Sequence, residues 1–201
     1  DKLTFSKTKV ASFGANGHNH FQHRIIDVLY YENDNNFIVR LNPKDKEHQI
    51  LLFMSSKIFD NLGEYYAALS TLMEKGKSDG KDDNRWWRSS FLDNDQLIIP
   101  KFSYNLLKDF DSLQGETFET KQMEYIIETA WQRTAFILDE SGAEIESEAL
   151  IEAATEGMEE QQPTPKKLIF DKPFFVFLAR RDAKNPYFGM RVANSELMTT
   201  E

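Results

Sequence analysis

No cysteine occurs anywhere in these 201 residues. Disulfides, thiol catalysis and cysteine-based zinc sites are therefore excluded. The compartment stays open, with secretion or a periplasm favoured over the cytosol, since a chain without staples folds in any of them. Long apolar runs are missing too, so no membrane partner is expected. No signal peptide is visible, yet the first residue is Asp1 rather than Met. The expectation is a processed, trimmed or cut N-terminus with its upstream part hidden. No Asn-x-Ser/Thr acceptor appears. Positive charge is scarce: 24 Lys and Arg face 33 Asp and Glu, a formal charge of -9. That balance argues against binding phosphate backbones, so no nucleic-acid partner is expected, and it suits a protein that repels its own copies. No nucleophile-bearing turn of the Gly-x-Ser-x-Gly kind is present. The chain is read as a non-enzyme, with no cofactor and no metal.

What is present is globular composition: 40% apolar and 28% charged residues, with sixteen Phe, seven Tyr and three Trp to fill one core. The length suits a single domain over 1–201. Lys2 to Phe13 reads weakly as strand, and Gly14 to Gly17 as a turn. His20 to Tyr31 and Phe37 to Leu41 form a predicted hairpin around Glu32 to Asn36. Ile58, Leu62, Tyr65, Tyr66, Leu69, Leu72 and Met73 recur at helical spacing, which predicts a helix over Ser55 to Lys75 with Gly76 as its cap. Lys75 to Asn84 is then an exposed loop. Leu97 to Phe102 reads as strand, Tyr104 to Leu113 as a short helix, and Tyr125 to Asp139 as one long strand. Leu168 to Ala179 and Pro186 to Val192 are two apolar strands around Arg180 to Asn185. Strands outnumber helices and hairpins dominate, so the class is α+β with mainly antiparallel sheets.

The closing text is the most specific. Leu168-Ile-Phe-Asp-Lys-Pro-Phe-Phe-Val-Phe-Leu178 resembles the signature that ends serpin chains, with Pro173 and Phe174 as the family anchor. Asn185 to Asn194 is similar to the final serpin strand, although Ser195 stands where a Pro is usual. Ile99-Pro-Lys-Phe102 resembles the opening of a central-sheet strand. Ile25 to Leu41 resembles the B-sheet hairpin. Asp139-Glu-Ser-Gly-Ala-Glu144 is similar to the hinge that starts the reactive loop. Five motifs in family order imply the C-terminal half of the serpin fold, with the N-terminal half absent. The resemblance implies a protease inhibitor that presents a bait loop able to add to a β-sheet. The alternative is a non-inhibitory serpin-derived binding or scaffold protein. The implied partners are a serine or cysteine protease, and either a separate N-terminal half or a second copy.

The reactive-loop-like segment is 142–169. Glu140, Gly142, Ala143 and Glu144 would form its hinge. Ile145, Ser147, Ala149 and Ile151 share one strand parity with Ala143, while Glu144, Glu146, Glu148 and Glu152 share the other, interrupted only by Leu150, as an inserting strand with one buried face requires. The same stretch also satisfies a helix stopped by Gly157, because Glu144, Glu148 and Glu152 lie four apart. Both periods fit. Three glutamates and Ile145 are heavier than the small residues usual in inhibitory members. Thr155 to Lys167 is polar and carries Pro163 and Pro165, extended backbone that a protease could grip. Counting from the hinge places the bait bond at Glu156, Gly157 or Met158; counting back from Phe170 places it at Gln161 or Gln162. Met158 is the preferred residue. Elsewhere, His18-x-His20 with His23 reads as a polar turn rather than a metal site, and Arg85-Trp-Trp-Arg88 as tryptophan packed on the core between surface arginines.

Overall fold

The computed structural model describes residues 2–16, 25–121, 123–139 and 163–200. Thirteen strands and one α-helix run in the order β1 (Lys2–Phe5), β2 (Thr8–Asn16), β3 (Ile26–Asn33), β4 (Asn36–Leu41), β5 (His48–Met54), α1 (Leu62–Asp79), β6 (Gln96–Pro100), β7 (Phe102–Asp109), β8 (Thr117–Glu119), β9 (Glu124–Ile126), β10 (Trp131–Leu138), β11 (Lys167–Ile169), β12 (Phe174–Arg180) and β13 (Phe188–Val192), among the described residues. Single 3₁₀ turns occupy Trp86–Ser89 and Asp111–Leu113. The fold is α+β.

A five-stranded sheet, β13-β12-β5-β4-β3, is the centre of the molecule, and all its pairs are antiparallel. Both of its faces are apolar, because the strands carry unbroken hydrophobic runs such as Phe174–Ala179 and Leu51–Met54. One face takes Phe37, Val39, Leu52, Phe174 and Val176 into the main core with Phe5, Leu97, Phe102 and Leu168. The other face buries Tyr30, Ile38, Leu51, Phe53, Phe175 and Phe177 beneath Tyr65 and Leu69 of α1. Each large side chain removed from water in this way contributes roughly 1.5–3 kcal/mol.

A four-stranded sheet, β1-β2-β6-β11, lies against the main core, and its β6–β11 pair is the one parallel pairing among the described strands. The β1–β2 hairpin turns on Ser6 and Lys7, both with positive φ (45° and 88°), the conformation that two-residue hairpin turns demand. The third sheet is a ribbon of only β7 and β10, paired from Phe102↔Leu138 to Asp109↔Trp131. At its far end stands the small β8–β9 hairpin.

Several expectations need correction. The helix starts at Leu62, not Ser55: Asn61 caps it, accepting from the Glu64 N–H at 3.0 Å, while Glu64 reaches back to the Asp60 N–H. Ile58 lies outside the helix and is exposed. The helix also runs through Gly76 to Asp79, so the polar stretch from Lys75 is half helix, and Gly80 is the cap. Gly76 is there for proximity rather than termination. A Cβ on it would collide with the Leu29 carbonyl oxygen of β3, so glycine lets helix and sheet touch. Gly14 to Asn16 is the end of β2, not a turn, and Gly14 likewise lets the Leu97 carbonyl of β6 approach. Tyr104 to Leu113 is mostly β7, because β10 offers it a full ladder of partners. The single strand foreseen over Tyr125–Asp139 is two: Glu124–Ile126 pairs with β8, and Trp131–Leu138 with β7. Of the tryptophan pair, Trp87 packs on the core but Trp86 is exposed.

Candidate functional site

The strands that bracket 140–162, β10 and β11, are each paired with one of two consecutive strands. β6 and β7 are separated by Lys101 alone, although they belong to different sheets. On the upstream side, β10 runs back along β7 until Leu138 stands beside Phe102. Phe136 and Leu138 are buried there, and Phe136 packs near Phe102 (6.2 Å between ring centroids) and is stacked with Phe188 (5.7 Å). On the downstream side, β11 lies parallel to β6, with Lys167 beside Gln96 and Ile169 beside Ile98.

The downstream end is held more firmly than its polar sequence suggests. Pro163, Thr164 and Pro165 are partly or fully exposed, and Lys167 is exposed, yet Lys166 between them is 0% exposed. Its Nζ lies 2.6 Å from Asp95 Oδ2 and donates to the Trp87 carbonyl oxygen at 2.9 Å. The same ammonium stands 5.5 Å and 5.8 Å from the ring centroids of Trp87 and Tyr31. Asp95 is equally committed: Oδ1 accepts the Lys166 backbone N–H at 2.7 Å and Oδ2 the Leu92 N–H at 2.8 Å. Burial pulls the Lys166 pKa down, opposed by the hydrogen bond and charge of Asp95. One residue on, the Lys167 N–H donates to Asp34 Oδ1, which also accepts from the Tyr31 hydroxyl at 2.7 Å. Burial first, then that hydrogen bond, pushes Tyr31 above the usual tyrosine pKa.

Phe174 is the hub of the main core. It is fully buried, with Phe170 at 4.8 Å, Phe102 at 6.2 Å and Phe5 at 6.4 Å between ring centroids. It therefore ties β12 to the segment after β11 and to the start of β7. Pro173 is exposed and precedes β12, a position where its missing N–H costs nothing.

The ribbon is the opposite case. Its burial fades from Phe102 and Leu138 toward Asp109 and Trp131. Leu107, Trp131 and Ile137 are 65%, 62% and 68% exposed on one face. Apart from one bridge between Phe102 and Met198, neither outer edge is paired among the described residues. The β8–β9 hairpin adds a stacked, half-exposed Phe118–Tyr125 pair and sets Glu119 directly opposite Glu124.

No protein-family model matches the sequence, and no curated protein does. Solved structures do match. Serpin48 from the insect Tenebrio molitor aligns over 96% of this chain at 17% identity, with a TM-score of 0.51. Maspin aligns over 95% at 13% and 0.50, and thyroxine-binding globulin in complex with thyroxine over 100% at 16% and 0.50. The fold is that of half a serpin. The chain spans 50% of the length of each of these serpins. The residues resembling the serpin closing signature, Leu168–Leu178, cover most of β11 and most of β12, and the hairpin resembling the serpin B-sheet pair is β3–β4. Their resemblance is to the C-terminal part of serpin chains. Identities this low carry the serpin fold and not an activity.

The hinge residues Glu140, Gly142, Ala143 and Glu144, the strand residues Ile145, Ser147, Ala149 and Ile151, and the bait candidates Glu156, Gly157, Met158, Gln161 and Gln162 lie outside the described residues, as do His18, His20 and His23. The structure brings together Phe174, Phe102 and Phe170 from the serpin-like motifs. Sequence reasoning missed Lys166 and Asp95. A signal existed: Lys166 shares strand parity with Leu168 and Phe170, and Asp95 with Leu97 and Ile99, all of them buried. Among the described residues no cluster of His, Asp and Glu is placed to hold a metal ion, and no helix is long and apolar enough to cross a membrane.

Proposed function

We propose that this chain is a serpin-type protease-inhibitor module whose connection from β10 to β11 is bait. The supporting observation is one of length. Leu138 stands beside Phe102 and Lys167 beside Gln96, so the ends are on the order of 20 Å apart along the β6–β7 stretch at the usual strand rise. The roughly 28 residues between them could reach about 90 Å. A connection this much longer than its task is the kind that carries function. In this reading Gly142 and Ala143 form the hinge, 143–151 can add to a sheet, and the bait bond lies within 156–162, with Met158 preferred. The roles are positional, and the chain supplies no catalytic group of its own.

A strand can be added only where a sheet edge is open. Among the described residues the outer edge of β10 has no paired strand, and exposed edges are aggregation hazards unless something pairs with them. The proposed partners are therefore a target protease together with either a separate N-terminal serpin-like half or a second copy. Incubation with a panel of serine and cysteine proteases tests the inhibitor reading. An SDS-resistant adduct with cleavage inside 156–162 supports it; resistance of that span to every protease overturns it. Light scattering after size exclusion tests the partner, and a clean monomer whose 140–162 span is readily cut counts against edge pairing.

A second reading, a non-inhibitory binding protein, is favoured by a groove of about 490 Å³ between α1 and the β12–β13 connection, lined by Leu62, Tyr66, Phe177, Pro186, Tyr187 and Phe188. Its volume and aromatic walls suit a small apolar ligand. Cleavage without adduct in the same protease panel, together with quenching of tyrosine fluorescence by an aromatic probe such as anilinonaphthalene sulfonate, supports this reading over the first.

A further inference from the structure

We propose that Lys166 and Asp95 are positioning residues that fix where the β10–β11 connection ends, and so fix the bait relative to the body of the protein; this rests on the inhibitor reading above. The placement of the pair is the argument. β11 is three residues long and, among the described strands, lies at the edge of its sheet with β6 as its one neighbour. A strand so short and one-sided is poorly held by its ladder alone. Lys166 precedes it and is the fully buried residue between an exposed Pro165 and an exposed Lys167. An apolar side chain would fill that space without the cost of taking an ammonium out of water. What lysine adds is direction. Its ammonium is fixed by Asp95 Oδ2, the Trp87 carbonyl and two aromatic rings, while its own N–H is fixed by Asp95 Oδ1 and its carbonyl by the Gln96 N–H at 3.0 Å. Main chain and side chain are thus held by the same carboxylate, leaving one backbone position available at that point. Pro163 and Pro165 stand directly upstream, and proline's fixed φ makes this approach stiff. A stiff lead into a fixed residue transmits position, whereas a flexible lead would lose it.

The test is the double variant Lys166→Met/Asp95→Asn. It removes both charges, nearly keeps side-chain volume, and leaves one amide oxygen, enough for either the Lys166 N–H or the Leu92 N–H but not for both. Three readouts are taken on the intact protein. The melting temperature of the double variant stays within a few degrees of the parent. Amide exchange at Lys167, Leu168, Ile169 and Phe170 speeds up by about tenfold or more, while β12 is unchanged. A protease that cuts one bond within 156–162 of the parent cuts at several in the variant. Unchanged exchange at 167–170 in a folded double variant overturns the proposal. Uniform acceleration across β6, β11 and β12 also overturns it, because the pair then acts on stability alone. Should the double variant not fold, Lys166→Arg is used: it keeps a cation, and parent-like exchange at 167–170 supports the proposal while tenfold faster exchange there opposes it. Exchange reads the anchor without any protease, so a failed protease panel sinks the inhibitor reading and leaves this measurement to stand or fall separately.

Discussion

The five-stranded sheet and the β7–β10 ribbon are made of similar residues and meet opposite fates. In the sheet, Phe174 to Ala179 alternate between two buried faces, one against the main core and one under α1. In the ribbon, Leu107, Trp131 and Ile137 are as apolar and stand in water. The difference lies in what each strand is given to pack against. A hydrophobic strand is stabilised by its cover, and among the described residues the ribbon is covered at the end where Phe102, Tyr104, Phe136 and Leu138 meet the core. A two-stranded ribbon whose outer edges have no paired strand among the described residues is marginal by itself.

The largest expected effect separates the two regions. Phe174→Ala should cost about 3–5 kcal/mol in urea unfolding, as expected for an aromatic truncated at a packed site, whereas Ile137→Ser should stay within about 0.5 kcal/mol. A cost above 1 kcal/mol for Ile137→Ser would mean that the ribbon face is covered in solution, and the contrast would fail. Next, Gly76→Ala turns the covered region toward the uncovered one by forcing α1 off the Leu29 carbonyl. It should lose about 1–3 kcal/mol despite alanine's better helix propensity, measured by thermal melting followed by circular dichroism. On the ribbon side, Glu119→Thr removes a like-charge pair facing Glu124 and should gain roughly 0.2–1 kcal/mol, an increment that shrinks in high salt. A pH-dependent effect concerns Tyr31, at the covered edge. Folding raises its pKa above 10.0 through burial and the Asp34 bond. The folded state therefore keeps a proton that the unfolded chain releases, so this contribution is complete below pH 10 and is lost as pH climbs beyond it. Melts between pH 9 and 11 should show a steeper alkaline decline for the parent than for Tyr31→Phe; parallel curves would remove Tyr31 from the account.

The legible parts of the sequence were those whose signals are local. The β3–β4 hairpin announces itself by apolar strands around Asn and Asp, and β12 and β13 by dense apolar runs. The helix was visible by its periodicity but misplaced, because Gly76 reads as a stop when only the carbonyl of a strand remote in sequence explains it. Tyr104, Leu107, Phe110 and Leu113 recur every three residues and imitate a helix; the partner that makes Tyr104–Asp109 a strand is β10, more than twenty residues away. Asp95 and Lys166 are the extreme case. Each looks like a solvated charge, and only the parallel pairing of β6 with β11 makes them a buried pair.

One consequence follows from the single residue that separates β6 from β7. Both moorings of the β10–β11 connection are tied to the same uninterrupted piece of backbone, the upstream one to β7 and the downstream one to β6. Tension on the connection therefore closes on itself through Pro100 and Lys101, like a cord strung between two points on one beam. The load need not pass through β12, β5 or α1, so a pull on that cord would strain a few central residues before it reached the covered sheet.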